Sequence, residues 1–174
     1  MDLKKLTLAT TAALAVSFGT AAQAQSQMAE CLSTELVKFD GTVVDAALAT
    51  PALSTLVDAV VAAGLVDALN DAENITVHAP TNDAFAAIPA DITNAIVGDV
   101  DVLTAVLTYH VSPGSADPRR FATPVRRDTL QGQEVFYHRS GMHARVNGAV
   151  VNCQGVSTSN GVVWIIDSVL LPVF

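Results

Sequence analysis

The sequence predicts an α+β domain in which helices fill the first half and a sheet is assembled mainly from the second. Three observations carry this prediction. Between Thr50 and Thr108, apolar residues recur at three- and four-residue spacing between capping residues and glycines, the period of helices with one buried face. Beyond Ser112-Pro113-Gly114 the apolar residues fall into β-rich runs divided by Ser140-Gly141 and Asn147-Gly148, and Asn-Gly is the strongest short hairpin signal. The chain is 51% hydrophobic but only 5% aromatic, so an ordered core of Val, Leu, Ile and Ala is expected.

The N-terminus has Lys4-Lys5, an apolar run from Leu6 through Phe18, and small residues at Ala22 and Ala24. The run is too short and too interrupted by Thr, Ser and Gly to span a bilayer, so residues 1–24 read as a secretory signal cleaved after Ala24. Residues 25–38 then form a lead segment and 39–174 one domain. The 150 residues after the cut suit a single hydrophobic core. Export to the periplasm or the medium is the expected location, and no later apolar run reaches spanning length.

Thr50 is expected to cap a helix with Pro51 in its first turn, with Leu53, Leu56, Val57, Val60 and Val61 on the buried face and Gly64 ending it. A short apolar stretch from Leu65 to Leu69 closes at Asn70-Asp71. Ile75 to Ala79 reads as a strand stopped by Pro80, and Thr81-Asn82-Asp83 supplies caps for a helix carrying Phe85 and Ile88. Helical pieces continue over Ile92–Val97, stopped by Gly98, and Val100–Thr108, where Val102, Leu103, Val106 and Leu107 form a stripe. In the second half, Val135–His138 and Met142–Val146 flank Ser140-Gly141. Ala149–Val151 comes after the Asn-Gly turn, and Val162–Ile166 is the last long strand.

Charge divides the chain. Gln25 to Pro118 carries 13 acidic residues against one basic, Lys38, whereas Arg119 to Phe174 carries six Arg against three acids. The acidic total argues against a nucleic-acid partner, because phosphate neutralisation needs a broad basic surface. The arginines Arg119, Arg120, Arg126, Arg127, Arg139 and Arg145 read first as a solvated loop and strand face, and second as a local anion or partner contact. Two cysteines, Cys31 and Cys153, suggest a disulfide in an oxidising compartment; the alternative is two small buried hydrophobes.

Three segments resemble one family in order and spacing. Ile75 through Phe85, with Thr76, Pro80, Thr81, Asn82, Asp83 and Phe85, resembles the first signature of the fasciclin domain; Tyr109-His110 resembles its Tyr-His motif; Asn160 through Pro172, containing Asp167, resembles its second signature. The resemblance covers residues from about 39 to 174. It implies a wedge-shaped β-sandwich with a helical bundle from the N-terminal half, used for extracellular adhesion. Most signature residues read as structural: Thr81, Asn82 and Asp83 serve the start of a helix, and Asp167 satisfies backbone donors at the end of a strand. Two positions depart from the family pattern, with His78 where Phe is usual and Trp164 where His is usual. Trp164 either lines an apolar site or repacks the core.

No Gly-x-Ser-x-Gly elbow or Ser-x-x-Lys is present, and the four histidines His78, His110, His138 and His143 are scattered, so neither an enzyme nor a metal or cofactor site is expected. The expected function is a non-enzymatic, exported binding module for cell-surface or matrix adhesion, with an extracellular or periplasmic protein or surface as partner. The alternative is a carrier of an apolar small molecule such as a carotenoid or lipid. The candidate contact residues are Tyr109, His110, Trp164, Arg119 and Arg120.

Overall fold

The structure, a computed structural model, describes residues 28–174, so the segment read as a secretory signal and the first residues of the lead lie outside the described residues. Residues 28–33 form helix α1, succeeded by β1 (Val37–Lys38), α2 (Val43–Leu48), a 3-10 turn (Pro51–Leu53), α3 (Ser54–Ala62) and α4 (Val66–Asp71). Then come β2 (Ile75–Pro80), α5 (Asn82–Ala86), α6 (Ala90–Val97), α7 (Val100–Tyr109) and β3 (Val111–Pro113). A 3-10 turn (Pro118–Arg120) leads to β4 (Val125–Asp128), β5 (Glu134–Ser140), β6 (His143–Val146), β7 (Ala149–Ser157) and β8 (Gly161–Ile166). Helices crowd the first half and most strand residues lie in the second, as the two periodicities predict.

The strands run in the order β3-β2-β8-β7-β6-β5-β4, and β1 adds parallel to the end of β7. The path curls: Leu130, in the turn after β4, donates its amide to Val111 O of β3 at 2.8 Å, joining the two ends. Strand β8 is buried on both faces because it lies between two cores. Val162, Trp164 and Ile166 point into a core enclosed by the strands, with Tyr137, Val135 and Val146, while Val163 joins a second core beneath α2, α3, α4 and α7. This is why β8 reads as a continuous apolar run instead of an alternating one.

Local chemistry explains most element ends. Thr42 accepts from the Asp45 amide while the Asp45 carboxylate accepts from the Thr42 amide, a capping box that starts α2. These hydrogen bonds hold the Asp45 carboxyl below its ordinary range. Thr81 caps α5 through the Ala84 amide, and Asp99 caps α7 through the Asp101 and Val102 amides. Asn147 (φ 47°) and Gly148 (φ 95°) supply the two left-handed residues of the tight turn between β6 and β7. Gly155 has a different cause: a Cβ there would sit 2.8 Å from the Trp164 ring and 2.7 Å from Leu36.

Several expectations need correction. Thr50 precedes a 3-10 turn, and its hydroxyl donates to Ala46 O instead of capping that turn. Strand β2 includes Pro80, which tolerates its missing N–H at the strand end, and α4 continues through Asn70-Asp71. Asn82 does not serve its own helix: it accepts from the Thr55 amide and donates to Pro51 O and Ser54 Oγ, tying α5 to the start of α3. Helix α2 and strands β1, β3 and β4 are additions that the apolar periodicity does not show. Cys31 and Cys153 are joined, with Cα atoms 5.0 Å apart, which resolves the choice between bridge and buried hydrophobes.

Candidate functional site

A cleft of about 160 Å³ opens between α2, α3 and α4 on one side and β2, β3 and α7 on the other. Three short helices, each with an apolar face, form one wall of it. Val43, Val44, Leu56, Val60 and Leu69 fill the base, and their partners one turn further out are left uncovered. Apart from His78, His110 and Thr108, the lining is Val, Leu and Ala. At the rim, Leu48 is 62% exposed, Val61 60% and Leu130 49%, and such large aliphatic side chains grouped around an opening mark a binding surface.

One residue fixes the geometry of two walls. Asn160 accepts from the Val43 amide at the start of α2 and donates to Leu69 O and Ala72 O at the end of α4, at 2.9, 2.8 and 3.0 Å. The side chain therefore ties α2 and α4 to the loop before β8. Thr42 Oγ1 adds a 2.7 Å bond to Asn70 Oδ1.

Behind the cleft lies a buried polar chain. His78 Nδ1 faces His110 O at 3.0 Å and so carries the proton, and His78 Nε2 accepts from the Tyr137 hydroxyl at 2.8 Å. His110 Nδ1 donates to Val106 O at 2.7 Å, and Nε2 accepts from the Leu170 amide at 2.9 Å. Both rings are thus neutral with every nitrogen used. Burial pushes each histidine down to about 4, although the hydrogen bonds to His110 O and Val106 O oppose the shift. Burial likewise pushes Tyr137 up to about 12, keeping its hydroxyl a donor. None of these groups is free to act as a nucleophile or base.

The five candidate contact residues do not form one surface. Tyr109, His110, Trp164 and Arg119 are buried, and of the five only Arg120 is exposed. Tyr109 holds α7 to the hairpins, its hydroxyl donating to Glu134 O and accepting from Asn147 Nδ2. Trp164 lies in the strand-enclosed core, away from the cleft, with its indole N–H on Ala116 O. Asp167 accepts from the Val150 amide at 2.8 Å, and Thr76 Oγ1 donates to Gly114 O and accepts from the Ala116 amide. His138 and His143 lie in the β5–β6 hairpin opposite Arg145 and Ser140, not opposite each other. Of the five candidates only His110 also lines the cleft; the other cleft residues escape sequence reasoning because each one also reads as ordinary core.

Arg119 departs furthest from expectation. It is not solvated: its guanidinium lies 4.8 Å from the Trp164 ring centre, forks onto Asp117, and donates through Nη1 to Cys31 O, Thr34 O and Cys153 O, each at 2.8 Å. Burial acts to raise the Asp117 carboxyl, but the hydrogen bonds and charge of Arg119 outweigh it and hold the group low. Arg119→Ala is expected to cost about 3 kcal/mol, because three carbonyls and Asp117 lose their buried partner. Arg119→Lys is expected to recover less than half, since an ammonium lacks the planar fork. Urea denaturation of the two variants checks both expectations; equal stability of Lys and Arg at this position would contradict them.

A sheet that curls around one core, carries helices over a second, and opens an apolar cleft where those helices meet it defines an α+β module. A family model described as the fasciclin domain matches residues 51–172, and the chain belongs to that family. The immunogenic protein MPT70 of Mycobacterium tuberculosis is 44% identical over 108 residues, covering 62% of this chain and 54% of that protein. The chain therefore spans about half the length of that relative. Protein sll1483 of Synechocystis is 40% identical over 133 residues, covering 75% and 73%. The cell surface glycolipoprotein MPB83 of Mycobacterium bovis is 40% identical over 135 residues, covering 75% and 60%. Among solved structures, a domain pair from the insect cell adhesion molecule fasciclin I aligns with TM-score 0.50 and 20% identity, over 68% of this chain and 45% of that one, a likeness of fold.

Proposed function

We propose that this chain is an exported, non-enzymatic binding module that holds a protein or surface partner by taking the partner's apolar side chains into the cleft. The observation behind this reading is the apolar opening ringed by Leu48, Val61 and Leu130. Size bears on what enters. Pockets that enclose a whole drug-sized ligand have about 300–1,000 Å³, whereas a dry cavity of about 150 Å³ holds a benzene-sized group. At about 160 Å³ the cleft suits one or two side chains of a larger partner. The surface location named for MPB83 supports an extracellular setting.

The carrier reading has one observation in its favour: an almost wholly apolar lining. An elongated pigment or lipid would place one end group inside and leave the rest outside.

The test is adhesion of residues 25–174 to the surface of the host, compared with a Leu48→Asp/Val61→Asp double variant. Removal of two apolar contacts at the rim is expected to weaken binding by about 2 kcal/mol, roughly 30-fold. Both residues are exposed, so urea denaturation is expected to show little change in stability. Unaltered adhesion of the double variant would refute the cleft as the site. A coloured or lipid-loaded protein, stripped of its cargo by the same substitutions, would establish the carrier instead.

A further inference from the structure

The charge around the cleft identifies the kind of partner it fits. Between Phe39 and Pro118, the segment that supplies every wall except Leu130, the chain has eleven Asp and Glu residues and no Lys or Arg. Five of these acids stand exposed on the helices that wall the opening: Asp45 on α2, Asp58 on α3, Asp67 and Asp71 on α4, and Asp101 on α7. Among the described residues none of the five has an ion-pair partner; the three ion pairs join Asp117 to Arg119 and Arg120, and Glu134 to Arg126. The arginines all lie in the other half of the sequence.

We infer that the cleft's partner is a basic amphipathic protein segment, one that presents a bulky apolar side chain flanked by Lys or Arg. This rests on the cleft reading above and adds the partner's chemistry. The apolar side chain of such a segment enters between Leu48 and Val61, where it loses its contact with water. Its flanking cations then lie over helices whose charged residues are all acidic. An acidic segment meets like charge there, so the surface discriminates as well as attracts. The apolar contact supplies a salt-insensitive part of the affinity, and the charges supply a part that is screened beyond roughly 10 Å at about 0.1 M salt.

Three synthetic peptides of about a dozen residues test the inference by fluorescence polarisation. The first places Leu and Phe among lysines, the second replaces its lysines with glutamates, and the third keeps the lysines but replaces Leu and Phe with serine. The first is expected to bind residues 25–174 at least about tenfold more tightly than either of the others at about 0.05 M salt. Its advantage over the glutamate peptide is expected to shrink several-fold at about 0.5 M salt. Leu48→Ser/Val61→Ser, which leaves the net charge unchanged, is expected to remove the difference between the first peptide and the third. Leu130→Ser gives an independent check from a lining residue outside the helices.

Equal binding of the lysine and glutamate peptides would overturn the basic partner while leaving the cleft reading intact. Binding of the lysine peptide that survives all the rim substitutions would place it elsewhere on the acidic surface and overturn the inference. Self-association in sedimentation, abolished by the same substitutions, would assign the cleft to a second copy and overturn it too. If no apolar peptide binds, the inference and the cleft reading fall together.

Discussion

Removing the Cys31–Cys153 bridge is expected to destabilise the domain by about 4–5 kcal/mol. The two residues are separated by 122 positions, and chain-entropy reasoning gives that figure for closing so long a loop in the unfolded state. A native-state effect adds to it. The bridge fixes α1 and the strand β1 segment against β7, bringing Cys31 O, Thr34 O and Cys153 O within reach of one Arg119 nitrogen. Without it, Arg119 loses the arrangement that satisfies its buried charge. The effects of Cys31→Ser/Cys153→Ser and Arg119→Ala are therefore expected to be non-additive, with the triple variant less destabilised than the sum by about 1 kcal/mol or more. Urea denaturation of the four proteins measures the coupling. Strict additivity would show that the guanidinium does not depend on the bridge.

The sequence shows helices and the main hairpins clearly, because a buried face imposes a period. It shows neither α2 nor β4, for opposite reasons. Helix α2 is only six residues long, too short for a period to emerge, and only its Thr42-Val43-Val44-Asp45 capping box marks the start. Strand β4, Val125-Arg126-Arg127-Asp128, has no fully buried residue and is held by its pairing to β5, so hydrophobicity carries no trace of it.

The site is harder to read, since it is a space between elements. Val57 and Val61 look like core on the helical wheel, yet Val61 is exposed, beside helices α2 and α4 that Asn160 ties together from 117 and 91 residues away. Arg119 has the same difficulty: its burial depends on carbonyls that the bridge assembles. The two departures from the family pattern illustrate the point most directly. His78 and Trp164 are separate anomalies in the sequence, yet they are register partners on the parallel strands β2 and β8.

Two buried histidines make the domain acid-sensitive. His78 and His110 are both buried and neutral, with folded-state values of about 4 against an ordinary 6.5. Between these values the unfolded chain binds protons that the folded one refuses, so stability is complete above about pH 6.5 and falls as the pH drops toward 4. Each histidine contributes about 3 kcal/mol across that window, and the steepest slope approaches two protons, about 2.7 kcal/mol per pH unit. Asp117 acts in a lower window: held below the ordinary carboxylate range, it withdraws its support only as pH falls through about 4 and below. His78→Gln retains an acceptor for the Tyr137 hydroxyl and a donor for His110 O without a titrating ring. This variant is expected to have a lower stability at pH 7 but a slope reduced to about one proton between about pH 6.5 and 4. Urea denaturation as a function of pH separates the two effects. An unchanged slope in His78→Gln would show that the acid response arises elsewhere. A halved slope would locate it in the polar chain behind the cleft, where protonation of His110 also removes the acceptor for the Leu170 amide and with it the anchor of the C-terminal segment.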